Sequence, residues 1–584
     1  MSHKEWSGRK QGRSERIIKR LVVAGNDFLL PLRIGEELAL SGSLDIRVLR
    51  GGAEVWGSRL SNEFQRIVVP SWSPAPRLLA VRSANQVDST ESPEVQAFLA
   101  ARTWPVVLSL RAHTPTVDPK EQLQQMKDIL TSPVKPRLRA HRAWPSIVQH
   151  FVDHCLHNSS PQNPAVLLVM GAKGVGKSTC CRFLVNRLLS LQVPEVYFLE
   201  TDLGQPELGP PGVVTLHRIR RPMLQVPHSE QHRHDRIQAF FAGAATPATH
   251  PALYTASVAA AFDTYCEMVK DSAMPAPLMV NSHGWVTGLG LEMVQQIIAT
   301  VGAQLVIRLQ SPSKRPDSET PVVQNGVVKV GESKSVDKRA GSKLQRSVLA
   351  RCGPLARALG RHKRGSDGQP LMNPEAALVL VDVESAVPRG STAPLAVQLR
   401  WLRMAGHFKP DLDPCRHATA MAMQDFFSTV PRWRLQMKFL HFGLVAGHLL
   451  HSEVEATLTG TVVALCQTDL KFTAKDVYST ADLQLLEPHE SPIKFLAYAF
   501  VHSFDFKSGE VAIYSTISQQ QLTSVNLALR GEVTWEPNST RNLQLADNRP
   551  SPLQPYSAPW LLEGMGVGTR VISTKAKGNL RRRL

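Results

Sequence analysis

Cysteine is scarce and unpatterned: the chain has seven in 584 residues, and Cys180-Cys181 are its only neighbouring pair. No C-x-x-C spacing occurs, which excludes a zinc ribbon and a disulfide framework and points to a reducing compartment. No stretch approaches 18 uninterrupted apolar residues, so no membrane span is expected. No apolar run follows the basic start, so no secretory signal is expected either. The sequons Asn158-Ser159-Ser160 and Asn538-Ser539-Thr540 should then remain unglycosylated. There are no internal repeats, and the N-K-x-D tetrapeptide that would read guanine is missing.

Basic residues outnumber acidic ones heavily in three places. Residues 1–20 hold seven Lys/Arg against two Glu, residues 311–368 hold thirteen basic against five acidic residues, and residues 570–584 hold six basic and no acidic residues. These segments account for the net charge of +18 and leave the rest of the chain near neutrality. Basic appendages on ordinary globular domains suggest a polyanionic partner or a localisation signal; the plainer reading is solvated tails that aid solubility. With 43% hydrophobic and 20% charged residues, the chain has ample material for several cores.

Patterning divides the chain. Residues 1–16 form a basic arm expected to be disordered. Residues 17–115 read as a β-sandwich-like domain: Leu44, Ile46 and Val48 alternate with Asp45 and Arg47 before a Gly51-Gly52 turn. Residues 116–160 read as a helical linker. Residues 161–410 alternate strand and helix as a parallel α/β domain should, interrupted by a basic insertion at 311–368. Residues 411–560 become β-rich again, with a hairpin expected around Lys507-Ser508-Gly509, and residues 561–584 form a basic tail. The expected fold is an α/β P-loop core, a parallel sheet with flanking helices, between an N-terminal and a C-terminal β-rich domain.

The most informative stretch is Gly171-Ala172-Lys173-Gly174-Val175-Gly176-Lys177-Ser178-Thr179. It fits G-x-x-x-x-G-K-[ST] and lies between an apolar strand, Val166–Met170, and a helical stretch beginning at Lys177. Glycines let backbone N–H groups close on phosphate oxygens, and the helix N-terminus adds partial positive charge. Lys177 can reach the β- and γ-phosphates of ATP, and Ser178 can ligate Mg2+. The next strand in sequence, Val196–Leu199, delivers Asp202 only 25 positions after Lys177. A carboxylate there can order magnesium or accept the proton of an incoming hydroxyl, which suits a kinase. The competing reading makes Asp202 a surface turn residue.

Further segments carry a family likeness. Glu200-Thr201-Asp202-Leu203-Gly204-Gln205 with Pro210-Pro211-Gly212, Phe240-Phe241-Ala242-Gly243 with Thr246-Pro247 and Tyr254, and Asn281-Ser282-His283-Gly284-Trp285 with Gly288 and Gly290 resemble polynucleotide 5′-hydroxyl kinases. The C-terminal hairpin, Leu522-Thr523-Ser524-Val525-Asn526 and Gly578-Asn579-Leu580-Arg581-Arg582 resemble the pre-rRNA-processing branch in particular. The resemblance implies that Lys177, Asp202 and Arg400 are catalytic, and that Ser178 and Asp202 serve the metal. It places Gln205 beside the reacting phosphate, Thr246 in a clasp on the phosphates, and Trp285 stacked on a terminal base. Arg400, in Gln398-Leu399-Arg400-Trp401-Leu402-Arg403, would lie on a lid near 395–408, with Arg403 one turn on. Without the family, Trp285 reads equally as a core tryptophan, and either arginine as a solvated helix face. His283, Ser282 and His407-Phe408 depart mildly from the family pattern, and the insertion has no counterpart in it.

The resemblance implies ATP and Mg2+ as cofactors and transfer of the γ-phosphate to the 5′-OH of RNA, in processing of the second internal transcribed spacer of pre-rRNA. It also implies an endonuclease partner and nuclear, nucleolar residence. The alternative is an ATP-bound scaffold of an RNA-processing complex with little turnover. A GTPase or motor ATPase is disfavoured by the missing guanine motif and the near aspartate.

Overall fold

The computed structural model describes residues 16–25, 27–70, 76–83, 92–101, 103–112, 119–131, 143–225, 230–310, 322–324, 327–329, 379–384, 396–410, 426–427, 429–445, 453–469, 477–480, 483–486 and 491–533. The expected basic tail, and the basic arm apart from Arg16, lie outside these residues, as does most of the insertion. Within the insertion, Val322–Gln324 and Val327–Lys329 pair antiparallel.

The N-terminal unit has a five-stranded sheet ordered Val22–Ala24, Asp27–Leu32, Val106–Ala112, Gly42–Arg50, Gln65–Val69, and a four-stranded sheet ordered Glu37–Ala39, Arg77–Val81, Gly52–Val55, Ser58–Arg59. Leu44, Ile46 and Val48 point into a core that both sheets share with Leu38, Val55 and Leu78, as a two-residue period requires. The helix Pro119–Thr131, expected within a linker, instead adds Met126, Ile129 and Leu130 to this core. The next helix, Ala143–Phe151, joins a different core: Trp144 packs against Phe183 with ring centroids 5.2 Å apart.

The central sheet begins with five parallel strands in the order Val379–Glu384, Leu305–Gln310, Val166–Gly171, Leu278–Asn281, Val196–Glu200. Val166–Gly171 and Val196–Glu200 are buried throughout, and helices supply the apolar cores on either side. Continuous apolar runs are what a parallel sheet covered on both faces demands. Order along the sheet differs from order along the chain: Leu278–Asn281 lies between the strand preceding the glycine loop and the strand leading to Asp202. Both loops therefore open at the carboxyl ends of the strands, with Asn281 between them.

Beyond Val196–Glu200 the sheet turns antiparallel through Val213–Ile219 and Arg236–Phe241. A single pair, Phe240 with Lys494, then joins it to Lys494–Asp505. The C-terminal strands thus continue the central sheet, which reaches 15 strands, and do not form a separate one. The expected hairpin pairs Lys494–Asp505 with Glu510–Tyr514 and closes at Asp505 opposite Glu510.

The N-terminal unit docks on the back of the helix Lys177–Ser190. Asn186, fully buried, donates from Nδ2 to the carbonyls of Trp56 (3.1 Å) and Met223 (3.2 Å), and its Oδ1 accepts from the Met223 N–H (2.7 Å). The Arg182 guanidinium lies 4.6 Å from the centre of the Trp56 ring. Gly57, with φ of 78°, turns so close that a Cβ would sit 2.9 Å from the Phe183 ring. Replacing Asn186 by Ala leaves three buried backbone groups to find other partners. At about 1–3 kcal/mol for a buried group left unsatisfied, Asn186→Ala should lower the unfolding free energy by at least that amount, read from urea denaturation of the full chain.

Candidate active site

The glycine loop has the backbone that its sequence requires. Gly174 and Gly176 have φ of 78° and 92°, and Gly176 precedes the helix Lys177–Ser190 as its N-cap. These are left-handed conformations that favour glycine. At Gly171 a Cβ would approach the Leu309 carbonyl oxygen to 2.6 Å. Ala172, Lys173 and Gly174 are exposed, Val175 is buried, and Ser178 and Thr179 are half-buried at the first helical turn. Lys177 is only 6% exposed, and its Nζ donates to the Ala172 carbonyl at 3.4 Å. Burial pulls the Lys177 pKa below the usual lysine value, against the opposing pull of Asp202, Cys181 and Glu200. A desolvated ammonium at the mouth of an N–H cradle fits a polyphosphate.

Asp202 sits two residues beyond the strand Val196–Glu200. Its Oδ1 accepts from the N–H groups of Gly204 and Gln205, both at 3.0 Å. The turn orients the carboxylate, and Oδ2 has no hydrogen-bond partner among the described residues. Gln205 is half-buried beside it. The loop carrying Thr246 approaches from the far side: a Cβ on Gly204 would lie 3.0 Å from the Ala245 carbonyl oxygen. Thr246 itself is exposed, and its Oγ1 accepts from the Ala248 N–H at 3.4 Å.

The third wall is the segment after Leu278–Asn281. A Cβ on Gly284 would stand 3.0 Å from the Lys173 Cα and 3.2 Å from the Lys177 Nζ, so glycine there lets this segment close against the phosphate loop. Trp285 is half-buried, and its indole fills the place a Gly290 side chain would take. Part of the ring packs on the core and part remains accessible. His283 is 2% exposed; its Nδ1 accepts from the Trp285 N–H at 3.3 Å, and it meets the Tyr254 ring edge-on at 5.8 Å. Burial pushes the His283 pKa down to about 4, so the ring is neutral beside Lys177.

Three residues without an assigned role in the sequence hold the site together. Glu200, fully buried, accepts from the Asp202 N–H at 2.9 Å, the Glu207 N–H at 2.6 Å, and the Asn281 Nδ2 at 2.9 and 3.0 Å. The same Asn281 Nδ2 lies 3.4 Å from Ser178 Oγ. Glu207 forms a buried pair with Arg182, with Oε1 2.8 Å from Nε. An acid closing the apolar run Val196-Tyr197-Phe198-Leu199 was the available signal for Glu200, since burial of a carboxyl requires a reason.

On the helix Ala396–Phe408 the two arginines separate. Arg400 is half-buried. Arg403 is 8% exposed and donates from Nε to the Pro206 carbonyl at 2.5 Å. Burial lowers the Arg403 pKa, while Glu207, Asp202 and Glu200 act to raise it. Arg403 is therefore the helix's link to the turn after Asp202.

Ser178 and Asp202 offer the hydroxyl and carboxylate oxygens that a magnesium ion favours, and the cradle and Lys177 fit the phosphates of a nucleotide. Bound there, the nucleotide would supply a transferable phosphoryl group and the metal would neutralise its charge.

Fold and site together define an α/β P-loop fold whose glycine loop and neighbouring carboxylate form a cradle fit for nucleotide phosphates. Residues 171–349 match the family described as "mRNA cleavage and polyadenylation factor CLP1 P-loop". A chain of the solved wild-type Clp1p–Pcf11p complex superimposes with a TM-score of 0.52 at 13% identity, covering 88% of this chain and 99% of that one. Among curated proteins, this chain is similar to "Polynucleotide 5'-hydroxyl-kinase grc3" of Aspergillus terreus, at 26% identity over 329 residues, 50% of this chain and 39% of that protein. It is similar to "Polynucleotide 5'-hydroxyl-kinase nol9" of Dictyostelium discoideum at 30% over 159 residues, 27% of this chain and 22% of that protein. With "Polynucleotide 5'-hydroxyl-kinase NOL9" of Mus musculus it shares 33% over 152 residues, 25% of this chain and 19% of that protein. The chain spans about two fifths or less of the length of these relatives. The likeness to polynucleotide 5′-hydroxyl kinases read from the sequence is the one these relatives bear.

Glu200 carries a testable consequence. Burial, followed by the neighbouring Asp202 charge, pushes its pKa from 4.5 up to about 8 against the pull of its hydrogen bonds. Between those values the folded chain binds a proton that the unfolded chain has released, so stability is greatest at low pH and falls as pH rises towards 8. Urea midpoints of the nucleotide-free protein should decline from about pH 5 to about pH 8, and Glu200→Gln should flatten that slope. An equal slope in both proteins would assign the effect to other groups.

Proposed function

We propose that this chain is an ATP-dependent polynucleotide 5′-hydroxyl kinase acting on RNA. The observation that carries the reading is the placement of the Asp202 carboxylate on a turn beside Lys177 and the glycine loop, with Trp285 on the adjoining wall. Lys177 holds the phosphates and Ser178 and Asp202 serve the metal. Asp202 receives the proton of the 5′-hydroxyl as its oxygen bonds to the γ-phosphorus and the bond between that phosphorus and the β–γ bridging oxygen breaks, leaving ADP. Gln205 and Thr246 border the transferred group. Arg400, on the lid helix, neutralises the charge that grows on it. Trp285 presents its accessible indole face to the terminal base, a contact any base can make.

The resemblance to the pre-rRNA-processing branch and the basic segments support a wider proposal. The RNA is pre-rRNA cleaved in its second internal transcribed spacer, the partner is the endonuclease that leaves the 5′-OH, and the place is the nucleolus.

The test is transfer of labelled phosphate from ATP and magnesium to a 5′-OH RNA oligomer. Wild-type protein should label the RNA; Lys177→Ala should reduce kcat/KM on the order of a hundredfold or more, and Asp202→Asn by about 10²–10⁴. Tight retention of ATP without labelled RNA would make the chain a scaffold.

Trp285→Ala separates binding from packing. Stacking is worth about 1–3 kcal/mol per base, so the KM for RNA should rise about tenfold with the KM for ATP unchanged. An equal rise in both would assign Trp285 to the core.

A further inference from the structure

A cavity of about 460 Å³ lies between the strand Val213–Ile219, the lid helix and the C-terminal strand Lys494–Asp505. Glu207 and Arg403 line it and none of the glycine-loop residues 171–179 does; no role has been given to it so far. Two of its lining histidines are buried with a ring nitrogen left over: His217, 2% exposed, at Nδ1, and His232, 5% exposed, at Nε2. Neither nitrogen has a hydrogen-bond partner among the described residues. Buried polar atoms are normally paired, so two orphans in the wall of one cavity point to an occupant that satisfies them.

The backbone aims them there. The register between Val213–Ile219 and Arg236–Phe241 slips between Leu216 and His217, which sets His217 opposite Arg236; bulges of this kind re-aim side chains and gather beside functional sites. His232 is held from behind, its Nδ1 2.7 Å from the Asp235 carboxylate, so its Nε2 is the atom left for the cavity.

The charge of the lining selects the occupant. Arg236 and Arg403 both line it, and its one carboxylate, Glu207, is already paired with Arg182. No group of three His, Cys, Asp or Glu able to hold a metal ion exists among the described residues, which argues against a cation. Burial, then the charges of Arg236 and His232, pushes the His217 pKa down to about 3, so this ring is neutral and offers an N–H. His232, its Nδ1 turned to Asp235, leaves Nε2 for the occupant. A hydrogen-phosphate group supplies both acceptor oxygens and a hydroxyl donor. The cavity exceeds one phosphate group and falls in the range for small organic ligands; Met223, Leu496 and Ile517 would cover the uncharged remainder.

We propose that this cavity is a second binding site, distinct from the glycine loop, for a phosphomonoester of nucleotide size. The phosphate group sits among His217, His232 and Arg236, and Arg403 forms the wall shared with the catalytic turn. The source of the group is a free nucleoside monophosphate or the 5′-phosphorylated end of a nucleic acid.

The experiment uses the full chain with the glycine loop filled by a non-hydrolysable ATP analogue and magnesium. Adenosine 5′-monophosphate, a 5′-phosphorylated tetranucleotide and its 5′-OH counterpart are titrated calorimetrically. Either phosphorylated probe should bind with one-to-one stoichiometry and the 5′-OH probe at least tenfold more weakly; the tighter of the two phosphorylated probes identifies the source. Arg236→Gln, and His234→Gln at the exposed rim, should each weaken that binding about tenfold or more, while Lys177→Ala and Trp285→Ala leave it unchanged. Binding lost in Lys177→Ala or Trp285→Ala but kept in both rim variants would put the ligand in the active site and overturn the inference. The absence of binding by either phosphorylated probe would overturn it as well.

Discussion

The site depends on one buried contact, between the carboxyl of Glu200 and the side-chain amide of Asn281. These residues end adjacent parallel strands and lie opposite one another in register. Through Glu200 the contact reaches the N–H groups of Asp202 and Glu207, and through Asn281 it reaches Ser178 Oγ. One hydrogen-bonded pair therefore sets the distance between the first turn of the loop helix and the turn that carries Asp202. Catalytic geometry held by rigid strand ends is more exact than geometry held by loops alone, because misplacement by about an ångström costs orders of magnitude in rate.

The surroundings of that pair are strongly charged for an interior. Lys177, Arg182, Glu200, Glu207 and Arg403 are all buried, and Asp202 is half-buried beside them. Desolvation alone would make such a cluster unstable; pairing and backbone hydrogen bonds offset it. The balance is uneven. Arg182 and Glu207 satisfy one another, and Arg403 is bound to the Pro206 carbonyl. Among the described residues, Lys177 has only a long contact to Ala172. It is the cation in this group least satisfied by the protein, and it faces the mouth of the phosphate cradle. A polyanion entering that cradle would meet Lys177 as the least compensated of these cations.

What the sequence disclosed was what local pattern encodes. The glycine loop, its strand and helix, and Asp202 on the following turn are written in contiguous residues with clear periodicity. The alternation in Gly42–Arg50 likewise gave its buried face. What stayed hidden depends on strand order. Asn281 enters the site because Leu278–Asn281 inserts between strands that are neighbours in the chain but not in the sheet, and no local window carries that information. The join between Phe240 and Lys494 spans more than two hundred residues, so the continuation of the central sheet into the C-terminal strands had no local sign. Arg403 shares its helix with Arg400, and only the packed structure distinguishes the arginine that meets Pro206.

That distinction bears on how the helix Ala396–Phe408 is held. Its C-terminal half is fastened at several points. Arg403 donates to Pro206, the His407 Nε2 accepts from the Tyr498 N–H at 3.0 Å, and the His407 carbonyl accepts from Thr516 Oγ1 at 3.0 Å. Tyr498 in turn donates from its hydroxyl to the Pro211 carbonyl at 2.7 Å, so the turn after Asp202 and the end of the helix are tied to one C-terminal strand. Arg403 belongs to this fastened half, where its bond to Pro206 keeps the Asp202 turn in register with the helix.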